Sequence, residues 1–437
     1  MKIYYNISIL FFTLIFPFLL SSCEKERPIV SSQFKKIIEK HGLITLNNND
    51  DIVNIIAYGD TREGWTEDNK DQKNHENVVK NILKHKGIDF ILFSGDSVLN
   101  GWNMKLWNNF YRVVKRFRKN DIQFFPVLGN HELRTKGLIP SPFNGFKEES
   151  KENLERLIKN KKEQEEIKGI IKKLSEIDVP EEEKVEVIND LILEKSLEKS
   201  PQDILKESGI PSNWEIFEKY YLNAPENLFQ YLKRIIKTGK TYYAFIYDTK
   251  NSPPILVVAL DTNLYTDESQ YKWFEEIVTN FSNGPIIALG HHSAYTSGIH
   301  CLFSGENESG VGFRKKYRDL LDKVDIWIAG HDHNYERISA TSPQNEKPLN
   351  PPVYIVTGAG GAKPRFGIPN YIGCREYPKP SHSSDNLFVK KYNFIQITFR
   401  ENILKVTSWG ADIGTLTESS ESPFKKIEQF VVNWERH

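Results

Sequence analysis

Five short apolar runs in this chain end in glycine and are followed at once by a side chain able to bind a cation: IVNIIAYGD (52–60), IDFILFSGD (88–96), IQFFPVLGN (122–130), PIIALGHH (285–292) and VDIWIAGHDH (324–333). Their length, β-branched and aromatic content and flanking glycines predict buried strands. Between the first three lie HENVVKNILKHKG and WNNFYRVVKRFRKN, both with helical apolar spacing. The resulting β-α-β-α-β order predicts a layered α/β core. Further strands are expected at ILVVALDTN and PVYIVTGAGG, while NFIQITFREN and ILKVTSWGADIG alternate apolar and polar residues as an antiparallel pair completing a second sheet would. In open α/β sheets the C-terminal ends of strands are where sites collect.

The strand-end residues are Asp60, Asp96, Asn130 with His131, His291 with His292, and His331 with His333. Gly-Asp or Asn-His alone is ordinary turn material. Oxygen and nitrogen donors converging from several strand ends are what a two-metal site requires. His331 and His333 stand two apart in an extended segment, so both rings face one side and can serve neighbouring ions. Two divalent cations sharing a carboxylate acidify water and clamp the attacking and leaving oxygens, a chemistry suited to phosphate-ester hydrolysis. The 437-residue chain has 58 Lys+Arg and 58 Asp+Glu, so it carries no net charge to attract nucleic acid, and an anionic substrate must be held locally.

The blocks GDTR, GDSVLNGW, GNHE, GHHSAY and AGHDHNYER resemble the five motifs of calcineurin-like metallophosphoesterases, over about residues 54–337. GNHE, GHDHNYER, VTGAGGA and the terminal hairpin are most similar to the purple acid phosphatase branch. The resemblance implies a four-layer α/β/β/α metallophosphoesterase sandwich with metals at the strand ends. It implies Asp96 as the bridging carboxylate, Asp60 and His333 as ligands of a first metal, and Asn130, His291 and His331 as ligands of a second, the metals being iron, manganese or zinc. His131 matches the histidine beside the transferred phosphoryl group, with Glu132 expected to orient it. His292 is the alternative ligand to His291 if the loop shifts by one residue, and otherwise faces substrate. His300, nine residues after His291, matches a substrate-side histidine and is either a leaving-group acid or a solvated loop residue.

Two positions depart from that pattern. Leu99 stands where the purple enzymes carry a metal-binding tyrosine, so no colour is expected. Arg62 stands where the wider superfamily has the His of an Asp-x-His pair, and a guanidinium cannot be a ligand. The first metal is therefore expected to be weak or vacant unless water or His75 fills the gap, the alternative for His75 being a surface position on its helix. Arg62 binds substrate phosphate or partly replaces the cation, the alternative being an arginine that pairs structurally with Asp60 or Glu63.

Residues 1–22 have Lys2 followed by the mostly apolar 7–20, too short for a membrane span and read as a signal peptide. LSSC, ending at Cys23, resembles a bacterial lipobox, which implies a lipidated Cys23 and an exported protein anchored to a membrane; the alternative is a plain signal peptide with a chance cysteine. Residues 23–50 read as tether and lead-in, and 51–437 as the metallophosphoesterase domain. Within it, 147–212 is a charged segment with helical Leu and Ile spacing, expected to be an inserted helical hairpin that is either a solvated excursion or a lid. Cys301 and Cys374 are a candidate bridge. The expected activity is phosphomonoester hydrolysis. Phosphodiester or nucleotide hydrolysis, or a non-catalytic lipoprotein binding a partner through the cleft, are the alternatives.

Overall fold

The computed structural model describes residues 31–47, 50–62, 72–133, 161–176, 184, 188, 212–302, 309–339, 349–350, 352–367, 387–416 and 422–434. The signal peptide, Cys23 and Cys374 lie outside them, as does most of the insertion, of which the helix Lys161–Ser175 is described. Among the described residues no helix is long and apolar enough to cross a membrane.

The described strands form two sheets. The larger has the order β1-β5-β6-β7-β8-β10-β9-β11, with β1 Ile44–Asn47, β5 Tyr243–Asp248, β6 Ile255–Ala259, β7 Ile286–Leu289, β8 Ile326–Ala329, β9 Tyr335–Ile338, β10 Val353–Thr357 and β11 Leu387–Val389. The smaller is β14-β13-β12-β2-β3-β4, with β2 Ile52–Tyr58, β3 Phe90–Phe93, β4 Gln123–Pro126, β12 Tyr392–Arg400, β13 Ile403–Ala411 and β14 Lys425–Val432. β2, β3 and β4 run parallel, as do β6, β7, β8 and β10. The alternating C-terminal segments pair as expected, β12 with β13 and, on its other side, with β2.

Strand periodicity sorts the apolar residues into two cores. Val257, Ala259, Ile287, Leu289 and Ile328 face the smaller sheet and share one core with Phe90, Phe125 and Ile395, whereas Leu256, Val258, Ile286 and Ala288 face outward. That outer face is covered by helices Glu268–Asn280 and Ser309–Leu321 through Phe274, Ile277, Phe313 and Tyr317. Helices Lys73–Ile82 and Met104–Lys119 cover the smaller sheet with Val78, Ile82, Trp107, Phe110, Val113 and Phe117. The layers are therefore helix, sheet, sheet, helix. The stretch read as a lead-in contributes to this body. Ser31 caps a helix at Ser32–His41 that ends at Gly42 with φ 60°, and β1 then pairs in parallel with β5. Phe34 of that helix packs against Phe281 at 5.0 Å between ring centres.

His75 occupies neither place considered for it. It is buried in the core, stacked on Phe110 at 5.6 Å. Its Nδ1 donates to Gln72 Oε1 at 2.8 Å and its Nε2 accepts from the Tyr58 hydroxyl at 3.1 Å, so both nitrogens are engaged in the neutral ring and neither is offered to a metal. Burial, then the charges of Arg112 and Arg116, push its pKa from 6.5 down to about 3. The folded protein thus binds this proton less readily than the unfolded chain. The contribution of neutral His75 is fully present above pH 6.5 and is lost as pH falls towards about 3, at a slope that removes about 2 kcal/mol between pH 6.5 and 5. Urea unfolding at pH 7.5 and 5.0 should show a smaller loss for His75→Gln than for the unaltered chain.

Candidate metal centre

Five of the six expected donors follow the C-terminal end of a parallel strand directly, Asp60 after β2, Asp96 after β3, Asn130 after β4, His291 after β7 and His331 after β8, with His333 two residues beyond His331. All five are buried. Because the sheets pack face to face, these ends converge from both. Asp60, Asp96 and His331 adopt left-handed φ values of 55°, 55° and 70°, unusual for residues other than glycine and characteristic of constrained functional loops.

His291 is the hub. Its Nδ1 donates to the Ser94 carbonyl at 2.8 Å, which leaves a lone pair on Nε2. That Nε2 faces Asn130 Oδ1 at 3.0 Å, His331 Nδ1 at 3.2 Å and Asp96 Oδ1 at 3.4 Å. Electron-rich atoms gathered around one point repel each other unless a cation lies between them, and Asn130 Nδ2 is buried with no hydrogen-bond partner, as suits an amide turned to offer its oxygen inward. The nitrogen and oxygen set, with a ligand histidine anchored to a backbone carbonyl, fits a divalent metal. His292 is distinguished from His291 by Thr262. The Thr262 hydroxyl accepts the amides of His291 (3.2 Å) and His292 (3.0 Å) and lies 2.8 Å from His292 Nδ1. With its lone pairs used, Thr262 donates its proton to that nitrogen, so His292 carries N–H on Nε2 and suits an anionic substrate. Its donor atoms stay within 4.8 Å of those of His291 and His331.

The second half of the expected site is built differently. Both Asp60 oxygens accept the His331 amide at 3.0 Å, and His333 Nε2 lies 3.7 Å from Asp60 Oδ1. Arg62 pairs with Asp96: Nε is 3.5 Å from Oδ2, with the Arg62 side chain 3% exposed, while Glu63, one of the two acids considered from sequence, lies outside the described residues. Burial works against ionisation of Asp96, but His131, His291 and Arg62 outweigh it and hold its carboxyl well below the usual range. Burial pushes Asp60 the other way, and Asp96 adds to that.

His131 Nε2 stands 3.6 Å from Asp96 Oδ2, and its Nδ1 donates to the Leu99 carbonyl at 2.9 Å. The expected orienting role of Glu132 is corrected here. Glu132 braces two loops, the one after β3 and its own after β4, by accepting the amides of Asp96 (3.1 Å), Ser97 and Gly129 (2.8 Å), while the ring of His131 is held by Leu99, the residue in the tyrosine's place. Burial, then Asp96, raise the Glu132 carboxyl to about 8. His300 is buried, not a solvated loop residue: it stacks on His331 with 3.7 Å between ring centres, and its Nδ1 donates to Asp332 Oδ1 at 2.7 Å. Against the effect of burial, His300 holds Asp332 at about 2. Thr262, the Ser94 carbonyl and Asp332 escaped the sequence reading. Thr262 follows β6 and Asp332 lies inside GHDH, so the strand-end rule that found the others would have reached both.

A buried nitrogen and oxygen cluster able to hold a metal ion, at the strand ends of a four-layer sandwich, is the arrangement of a metallophosphoesterase fold. The chain belongs to the calcineurin-like phosphoesterase family, whose model matches residues 53–335. No curated protein matches it. Similar solved structures include a purple acid phosphatase from yellow lupin (Lupinus luteus) seeds, with 16% identity, TM-score 0.49, and 88% of this chain and 54% of that one covered. PhoD is similar at 8% identity, TM-score 0.43, covering 89% of this chain and 70% of that one. A putative 5'-nucleotidase from Staphylococcus aureus is similar at 10% identity, TM-score 0.35, covering 88% and 55%. This chain thus spans about half the length of the lupin enzyme.

The glycines before the donors are part of the centre. A Cβ on Gly330 would collide with Asp60 Oδ2, and one on Gly129 with Asp96 Oδ1. Gly330→Ala is expected to displace Asp60 and weaken metal binding by about 10–100-fold, as loss of a ligand's support does elsewhere, with the far-ultraviolet circular dichroism unchanged. Calorimetric titration with Mn2+ measures it.

Proposed function

We propose that the chain is an exported, membrane-tethered, metal-dependent phosphomonoesterase. The observation that carries this reading is the ring of acceptor atoms around His291 Nε2, bordered by groups able to donate to an anion: Arg62, His131 and His292. When bound, a divalent ion at that ring supplies Lewis-acid polarisation of a phosphoryl oxygen and lowers the pKa of water. The family supports a phosphorylated substrate.

The residues divide the remaining work. Asp96, Asn130, His291 and His331 hold the ion. His292, with its proton on Nε2, hydrogen-bonds a phosphoryl oxygen. His131, anchored through Nδ1 to Leu99, directs Nε2 at the reacting group, where as imidazolium it stabilises charge on the phosphoryl oxygens or protonates the leaving one. His300 is locked by Asp332 with Nδ1–H engaged, leaving Nε2 to serve the leaving group. A monoester is favoured because its dianion matches this many donors around one small site. Cys23, within LSSC, supports the tether, and Cys23→Ala should move the protein from the membrane fraction to the soluble one.

Protein stripped of metal and refilled with manganese, zinc or iron should turn over p-nitrophenyl phosphate faster than its bis-ester, and a chelator should abolish both. Absence of metal-dependent turnover on either ester would sink the reading. His131→Ala should lower kcat by about 10²–10⁴-fold with metal content unchanged, whereas Asp96→Ala should lose metal as well as activity.

A further inference from the structure

We infer that Arg62 takes the place of a second cation, so that the centre holds one metal ion and the carboxylate of Asp96 bridges that ion to a guanidinium. This rests on the metal-dependent phosphoesterase reading above. The two oxygens of Asp96 face different partners: Oδ1 lies 3.4 Å from His291 Nε2, within the acceptor ring, and Oδ2 lies 3.5 Å from Arg62 Nε. A bridging carboxylate is thus present, and the charge on its far side is an arginine.

Among the described residues, the group that could hold another ion is Asp60 with Asp96 and His291, and the last two already serve the acceptor ring. Asp60 has both oxygens on the His331 amide, an interaction that holds His331 at φ 70°, and His333 Nε2 is its near nitrogen at 3.7 Å. His75, buried between Tyr58 and Gln72, adds none. Arg62 cannot lose its proton to become a ligand, and moving it away from Asp96 would leave a buried cation separated from its carboxylate. Among the described residues the acids nearest the centre are Asp60 and Asp96, with Asp332 engaged by His300, so two divalent ions beside the guanidinium would leave a large positive surplus in a buried site, whereas one ion leaves a smaller surplus that a phosphate dianion removes. The backbone allows little escape, because the Thr61 amide donates to the Asp96 carbonyl at 3.0 Å and the Thr61 hydroxyl to the Ser97 carbonyl at 3.0 Å, tying the residue before Arg62 to the Asp96 loop.

The test counts metal and needs no turnover. Full-length protein saturated with Mn2+ and freed of excess by gel filtration should carry one ion per chain by elemental analysis and give the electron paramagnetic resonance spectrum of an isolated ion. Arg62→His, which exchanges the fixed charge for a ligand, should carry two ions and give the spectrum of a coupled pair, while Arg62→Lys should stay at one. Two ions in the unaltered protein, or two in Arg62→Lys, would overturn the inference and leave the phosphoesterase reading standing. No tightly bound ion in the unaltered protein would overturn both. The count on the unaltered protein decides even where a variant fails to fold, and one ion in a folded Arg62→His also contradicts the proposal.

Discussion

The Asp60 carboxylate accepting the backbone amide of His331 ties together two residues 271 positions apart, one at the end of β2 in the smaller sheet and one at the end of β8 in the larger. Parallel links run beside it: His291 Nδ1 to the Ser94 carbonyl, and the Gly59 amide to the Thr357 carbonyl at 3.0 Å. These bonds close the gap where the two sheets approach at their C-terminal ends. They position the donor atoms to within hydrogen-bonding distance of each other, and the left-handed turns at Asp60, Asp96 and His331 are the strain that the surrounding packing sustains. Glycine precedes each of these three because the loops lie against one another with no room for a side chain.

Around this clamp the protein sets up opposed electrostatic demands. Burial raises Asp60 and Glu132, while Asp96, beside His131, His291 and Arg62, is held low. Such divergence between adjacent carboxyls is what a centre combining metal binding with proton transfer needs. The chain as a whole has no net charge, so under the proposed function attraction of an anionic substrate would fall to Arg62, His131, His292 and a metal ion held among the strand ends. Histidine tautomers complete the assignment. A carbonyl behind His291 leaves a lone pair on its Nε2, and a hydroxyl behind its neighbour makes Nε2 of His292 a donor.

The sequence carried the strands, their order within the first β-α-β-α-β unit, the terminal antiparallel pair and the positions of Asp60, Asp96, Asn130, His291 and His331 just past strand ends. Those features are local: apolar runs, a glycine, and a polar residue just beyond it. Residues whose role is to contact something distant were illegible. His75 looks like a residue at a helix start, and its burial between Tyr58 and Phe110 depends on how that helix meets the smaller sheet. Glu132 looked like the partner of its neighbour His131, but the turn sends its carboxylate to the amides of Asp96, Ser97 and Gly129.

By itself, then, the sequence determined the family, the layered architecture and the chemical types gathered at the site, because periodicity and strand-end glycines act over a few residues. Which atom of each group faces the others at the strand ends, and that Arg62 pairs with Asp96, were decided only by tertiary structure. The Asp60 and Asp96 loops come from adjacent strands whose spacing no local pattern encodes. Arg62 lay two residues from Asp60 in the chain, yet packing of β2 beside β3 delivered it to Asp96.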